Sequence, residues 1–352
     1  MTCSSRPLVV STLFALTLLV LPASAYALTL SETLARVESR SSVVSARTEL
    51  ADAQTNLTRV TRDPLAVRAD TLQAEQRSVL AEASLERTRD AAASELTSAY
   101  TGVLGANAQV ELARQSRELS RRSLRVATIR LENGSATQLD LSDAQASLNE
   151  AENGLRAATE AQTLALGNLV SILGEEVKAS DLEKISEAVI PELPPLEAAL
   201  TSAERHPDLL GVKQQAALAD LSAEILDPLY AAQAQIDTAE SQRESAESAL
   251  TEAQRSFRLQ VRNLYTQAEN ARASLRLASS ALQNAQTRLQ TQKQRLDGGL
   301  ISQIEFGQAQ LTTAQADLEA ENARSAYLNA LLELQTGSLV PLGSPFSMEK
   351  AK

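Results

Sequence analysis

The chain has 352 residues and a formal charge of −11, with 33 Lys and Arg against 44 Asp and Glu. Aromatic residues make up 3%, Trp is absent, and Gly (12) and Pro (10) are scarce, so any core must be narrow and built from Leu and Ala rather than large rings. The acidic balance argues against a nucleic-acid partner, which needs clustered Lys and Arg. One His and one Cys leave little for metal, thiol or imidazole chemistry, and no nucleophile, base and orienting group are set together, so the reading is not an enzyme and needs no cofactor.

Residues 1–27 read as a secretory signal peptide: Arg6, an apolar stretch from Leu8 to Leu21, and the small-residue sites Ala23-Ser24-Ala25 and Ala25-Tyr26-Ala27. The apolar run is short for a membrane span. Cleavage near Leu28 would remove Arg6 and Cys3, leaving an exported, disulfide-free chain of charge −12.

No proline occurs from Leu65 to Ile190 or from Leu229 to Val340. A proline inside a helix costs about 3 kcal/mol, so these gaps permit very long helices, one of them from Leu65 to Glu132 and about 100 Å long. The mature chain lacks period-2 apolar runs bounded by turn signals. It reads as all-α.

The chain also repeats itself. Arg130 to Gln145 aligns with Arg295 to Gln310 at an offset of 165, with six of 16 positions identical. Leu30 to Arg47 matches Leu196 to Lys213 at 166, and Asp63-Pro64 matches Asp227-Pro228 at 164. An offset held over a whole unit marks a duplicated module. The boundaries are therefore a first repeat over 28–190, a second over 191–340 that opens on the Pro-rich Ile190–Pro195, and a tail at 341–352.

Each repeat carries heptads. Leu141, Leu148, Leu155, Gln162 and Leu169 recur every seven residues beside Ala144, Ala151, Ala158, Ala165 and Ile172. Val261, Ala268, Leu275, Leu282, Leu289 and Leu296 do the same in the second repeat. Such a repeat supercoils helices left-handedly, and small residues bring the axes close. Between the heptad stretches, Asn133-Gly134 and Gly298-Gly299-Leu300 stop one helix, and Thr137-x-x-Asp140 and Ser302-x-x-Glu305 start the next with capping-box spacing. The expected fold is two tandem antiparallel coiled-coil hairpins with well-specified tips, whose Gly134 and Gly299 take positive φ. His206, before Pro207, reads as an exposed helix-boundary residue.

The duplicated hairpin, the Gly-x-x-(Ser/Thr)-x-x-(Asp/Glu) tip followed by Ala-Gln, the opening Leu28-Thr-Leu-Ser-Glu-Thr-Leu34 and His206-Pro-Asp-Leu209 together resemble the TolC family of outer membrane efflux proteins. The resemblance implies a homotrimer whose repeats form a pseudo-six-fold helical tunnel through the periplasm, associated with the outer membrane. It also implies tips that dock an adaptor protein and, through it, an inner-membrane transporter. Asn133, Gly134, Gly298, Gly299 and Leu300 are the implied docking residues. Asp140 and Asp143 match the family's gate aspartates. The second repeat offers Glu305 and Gln308 at these places, so one acid is missing. Asp140, Asp143 and Glu305 thus read as helix-cap or solvent-facing residues, as a tunnel constriction, or as both. One departure is large: where the family inserts two β-strands per repeat for a membrane barrel, this chain has only Thr61–Leu65 and Ile225–Leu229, too short for strands of about 9–11 residues. The expectation is a tunnel lacking the pore through the membrane. The other reading is a non-transport coiled-coil scaffold spacing the layers of the envelope.

Overall fold

A computed structural model describes residues 28–226, 229–343 and 346. The signal segment, Asp227-Pro228 and most of the tail lie outside the described residues. Eight α-helices follow in order: α1 (Leu30–Leu34), α2 (Ser41–Arg62), α3 (Arg68–Glu132), α4 (Gln138–Leu173), α5 (Leu196–Ala203), α6 (Pro207–Glu224), α7 (Gln233–Asp297) and α8 (Gln303–Ser338). Three short 3₁₀ turns join them. Among the described residues the only β-type pairing is one bridge between Leu28 and Leu182.

The repeat noticed in the sequence is carried into the backbone. The helices α3 and α7 each have 65 residues, α4 and α8 each have 36, and both pairs are displaced by 165 positions. At 1.5 Å per residue the long members run about 98 Å. The long helix α3 begins at Arg68 rather than Leu65, because residues 63–67 form the connection from α2 and Val67, in extended conformation, is its N-cap.

The helices form a layer in the order α4, α3, α8, α7, with α4 folded back on α3, α3 against α8, and α8 folded back on α7. The heptad positions make these contacts: Leu169 and Ala158 of α4, and Val261, Ala268 and Leu275 of α7, are buried, and their partners along each seam are at least half-covered. In the other half of the long helices, α2 takes over α4's place beside α3 and α6 packs on α7. Each column is thus made of two helices placed end to end.

The largest core lies at the waist where these columns change over. Leu96, Tyr100 and Val103 of α3, Leu328, Leu331 and Leu332 of α8, Leu169 of α4, and Val37 and Val43 of the N-terminal segment are fully buried there. Burial of one such side chain contributes roughly 1.5–3 kcal/mol. The connection after α4 wraps the same core through Leu182 and Ile185. So do Leu342 and Phe346, which makes this part of the expected tail a packed element. The Tyr100 hydroxyl lies 2.8 Å from the Leu28 carbonyl and 2.7 Å from that of Glu183, tying the N-terminal segment to the inter-repeat connection.

The joints between columns are specific. Arg40, the N-cap of α2, donates through Nη1 to the Ile172 carbonyl in the last turn of α4 (2.8 Å) and through Nη2 to Glu95 of α3 (2.8 Å). His206 holds the corresponding place before α6. It is buried, not exposed as the sequence suggested. Its Nδ1 accepts the Asp208 amide at 3.3 Å as the cap of α6, the ring is hydrogen-bonded to the Thr336 carbonyl of α8, and the Phe257 ring of α7 packs against it at 4.8 Å, tilted by 42°. A residue before Pro at a helix start looks solvent-facing in sequence; here the end of α8 in the same column and Phe257 of α7 cover it. Burial pushes the imidazole below its usual range. Close by in sequence to Thr336, Gln335 donates to Asp90 of α3 at 2.7 Å, and burial, reinforced by Glu86, lifts the Asp90 carboxyl to about 7.

Candidate functional site

The two hairpin tips are closed by the same hydrogen bonds. After α3, the amide of Gly134 donates to the Leu131 carbonyl (2.9 Å) and that of Ser135 to Arg130 (2.8 Å). After α7, Gly299 donates to Leu296 (2.9 Å) and Leu300 to Arg295 (2.8 Å). This paired pattern is the Schellman stop, and it places one residue in the left-handed region. That residue is Gly134 at φ +70° and Gly299 at φ +72°. Gly298, at φ −81°, is in an ordinary conformation, as is Asn133 at φ −86° in the other repeat, so Gly298 is not demanded by backbone geometry.

The return helices begin with complete capping boxes. The Thr137 hydroxyl accepts the Asp140 amide (3.2 Å) while the Asp140 carboxylate accepts the Thr137 amide (2.7 Å). Ser302 and Glu305 repeat both bonds at 3.2 and 2.7 Å. The Thr137 amide and hydroxyl hold the Asp140 carboxylate below the usual range, and Ser302 does the same for Glu305. These two acids are therefore ionised and fixed in direction by their own turns. Asp143, one turn further along α4, is exposed and carries no such bond from the turn.

The tips share a backbone but differ in surface. Leu300 stands where the first repeat has Ser135, and it projects into solvent. The hairpins run side by side to this end of the molecule: Arg122 of α3 donates to the Gln303 carbonyl at the start of α8 (3.4 Å), and Leu119 packs on Gly307. Just inside the second tip, a groove of about 690 Å³ lies between α7 and α8, with Arg288 and Arg295 on one bank and Glu305 and Gln308 on the other.

The sequence profile of the outer membrane efflux protein family matches residues 63–175 and 203–337, one segment in each repeat and well over half of the chain together. The chain belongs to the outer membrane efflux protein family. No curated protein matches the sequence. Solved structures share the family's fold with this efflux protein at low identity. The outer membrane protein VceC of Vibrio cholerae is 16% identical, with 88% of this chain and 96% of that one covered at a TM-score of 0.57. CusC, described through the conformational changes accompanying folding and transmembrane channel formation, is 13% identical, with 88% and 95% covered at 0.64. A membrane protein from Pseudomonas aeruginosa gives 15%, 88%, 93% and 0.59.

Residue-level reasoning on the tips missed what holds the waist. Tyr100 and Tyr265 are 165 apart, Tyr100 bonded to the N-terminal segment and the inter-repeat connection, Tyr265 packed against the cluster around α5. Extending the repeat offset to single residues would have picked them out. Arg40 and His206, 166 apart, carry the same signal but differ in residue type, which hides it.

Proposed function

We propose that the protein is a TolC-like tunnel component of an efflux or type I secretion assembly, a homotrimer in the envelope whose tips dock a periplasmic adaptor and thereby an inner-membrane transporter. The observation that carries this reading is the open layer of four long helices. Its two edges are α4 and α7, and each bares leucines near the waist: Leu164 on α4, Leu259 and Leu277 on α7. Different surfaces at the two edges favour a head-to-tail contact, which closes into a ring when the rotation per subunit is right. Three copies give twelve helices in alternating hairpins around one axis.

In that ring the tips of all six hairpins share one end. Asp140, Asp143 and Glu305 are then repeated around a narrow opening, where clustered like charge attracts cations and repels anions. Adaptor docking falls to Asn133, Gly134, Gly298, Gly299 and Leu300 with the groove behind the second tip, since Leu300 is an exposed anchor beside a lined recess.

The short connections at the other end, residues 63–67 and 225–232, favour the second reading, a coiled-coil scaffold that spaces envelope layers. Mass in solution separates the two. A trimer that falls apart in Leu164→Glu with Leu277→Glu supports the tunnel; a monomeric wild-type protein supports the scaffold.

A further inference from the structure

The end opposite the tips is built from two short connections that lie together, since Arg68 at the start of α3 pairs with Glu224 at the end of α6 at 3.1 Å. These few residues are unusually apolar for turns. Leu65 is 87% exposed, Val67 59%, Ile225 64% and Tyr230 88%. Apolar side chains bared together on a soluble surface mark an interaction site, and the occupant is indicated by their surroundings. Arg59 and Arg62 occupy the last turn of α2, directly behind Leu65. Arg62 makes no ion pair among the described residues, and Arg59 is bonded to the neutral Asn56 side chain. Among the nearby described acids, the Asp63 carboxylate turns back to the Leu65 amide at 2.9 Å, Glu224 is held by Arg68, and Asp70 shares a recess with Arg59 and Leu65. Apolar tips with arginines one turn behind them suit a phospholipid surface, where Leu and Val enter the acyl boundary, Tyr rests at the headgroups and Arg reaches the phosphates.

We infer that these two connections seat the protein on a phospholipid surface as a peripheral contact, Leu65, Val67, Ile225 and Tyr230 inserting shallowly while Arg59 and Arg62 bind lipid phosphates. The inference rests on the tunnel reading for the ring that brings several copies to one plane and for assigning that surface to the outer membrane. No described helix is long and apolar enough to cross a membrane. Each connection offers too few apolar groups to hold alone, so attachment depends on several copies acting at once. In a ring of three chains six connections face one plane, and their binding multiplies through effective concentration.

Flotation of the purified chain with vesicles of phosphatidylethanolamine and phosphatidylglycerol, and separately of phosphatidylcholine, tests this. The wild-type protein rises with the first and, more weakly, with the second. Leu65→Gln with Tyr230→Gln lowers the bound fraction at least tenfold on both, at unchanged helicity and melting temperature. Arg59→Gln with Arg62→Gln lowers it several-fold on the anionic vesicles alone. A wild-type protein that stays with the soluble fraction overturns the inference, including the case in which the connections bind an outer-membrane protein instead. Flotation of the Leu65 and Tyr230 variant equal to wild type overturns it too. Light scattering on the same samples keeps the readings apart, because a trimer that ignores vesicles refutes only the lipid contact, and a monomer refutes the tunnel.

Discussion

In the first repeat the change from α4 to α2 is bridged by Arg40, whose guanidinium donates to the Ile172 carbonyl and to Glu95. In the second, the change from α8 to α6 is bridged by His206, buried and neutral, donating to the Thr336 carbonyl. The task is common to both: a helix ends with unsatisfied carbonyls, and the next helix in the column must supply a donor without a covalent link. Any donor of the right reach serves. Arg40 does so half in water with a carboxylate partner; His206 does so in a closed pocket under Phe257. Duplication has preserved the geometry of the joint and left its chemistry free to diverge.

The largest effect should come where the repeats are alike. Since Gly134 and Gly299 have the same φ, Val at either should destabilise by about 2 kcal/mol, the left-handed region being penalised for any Cβ and more for a branched one. The double variant should melt earlier by the sum, keep its overall helicity, and lose adaptor binding. Unequal single-site losses in chemical denaturation would show that the tips are not equivalent. Unchanged adaptor binding in the double variant would reduce the tip to a structural turn and leave the scaffold reading in front.

The joints should respond to truncation unequally. His206→Ala removes a cap, a buried hydrogen bond and a ring contact, and should lose about 2–3 kcal/mol, whereas Arg40→Ala, at a half-exposed position, should lose about 1 kcal/mol. Equal losses in urea denaturation would break the comparison.

Acid should sharpen it further, with opposite signs at neighbouring sites. The imidazole of His206 is held below its unfolded value of 6.5, so its contribution is complete above that pH and is lost as pH falls beneath it. Asp90 is raised from 3.8 to about 7, so its protonated form stabilises below 3.8 and that contribution is lost as pH rises toward 7. In melting curves between pH 4 and 6.5 the two slopes oppose each other in the wild type, so stability should fall more steeply with rising pH in His206→Gln and rise more steeply with pH in Asp90→Asn. Arg40→Gln should leave their shape unaltered.

The smallest effect on stability belongs to the acids of the first tip. Asp140→Asn with Asp143→Asn should barely move the melting temperature, yet weaken any block of the assembled tunnel by polyvalent cations in conductance measurements. A block as strong as in the wild type would take these residues out of the constriction.

Much of this architecture was legible beforehand because it follows from local rules. Proline-free stretches, seven-residue periodicity and capping residues around glycine act over a few positions each; they place both tips and the start of α3 to within about three residues, while the heptads run through α4 and α7 without fixing where α7 begins, at Gln233. The waist was not legible in that way. Whether His206 faces water depends on Thr336, 130 positions later, and whether Asp90 is buried depends on Gln335. Leu342 and Phe346 look like the start of a loose tail until the core that receives them is assembled from the N-terminal segment, α3, α4, α7, α8 and the connection after α4. The docking and constriction roles proposed for the tips lie further out still, because they would be properties of several copies and of a partner.

The matched lengths of the helices make the molecule a ruler. With α3 equal to α7 and α4 equal to α8 residue for residue, both tips come level, and the distance from tip to waist is set by 36 residues, about 54 Å. A heptad removed from one arm alone would buckle its hairpin. Removed from both arms of one hairpin, it would leave three short staves and three long ones in a trimer. The span can change only by seven residues in four places at once, roughly 10 Å per step, so the reach of the hairpins is written into the chain four times over.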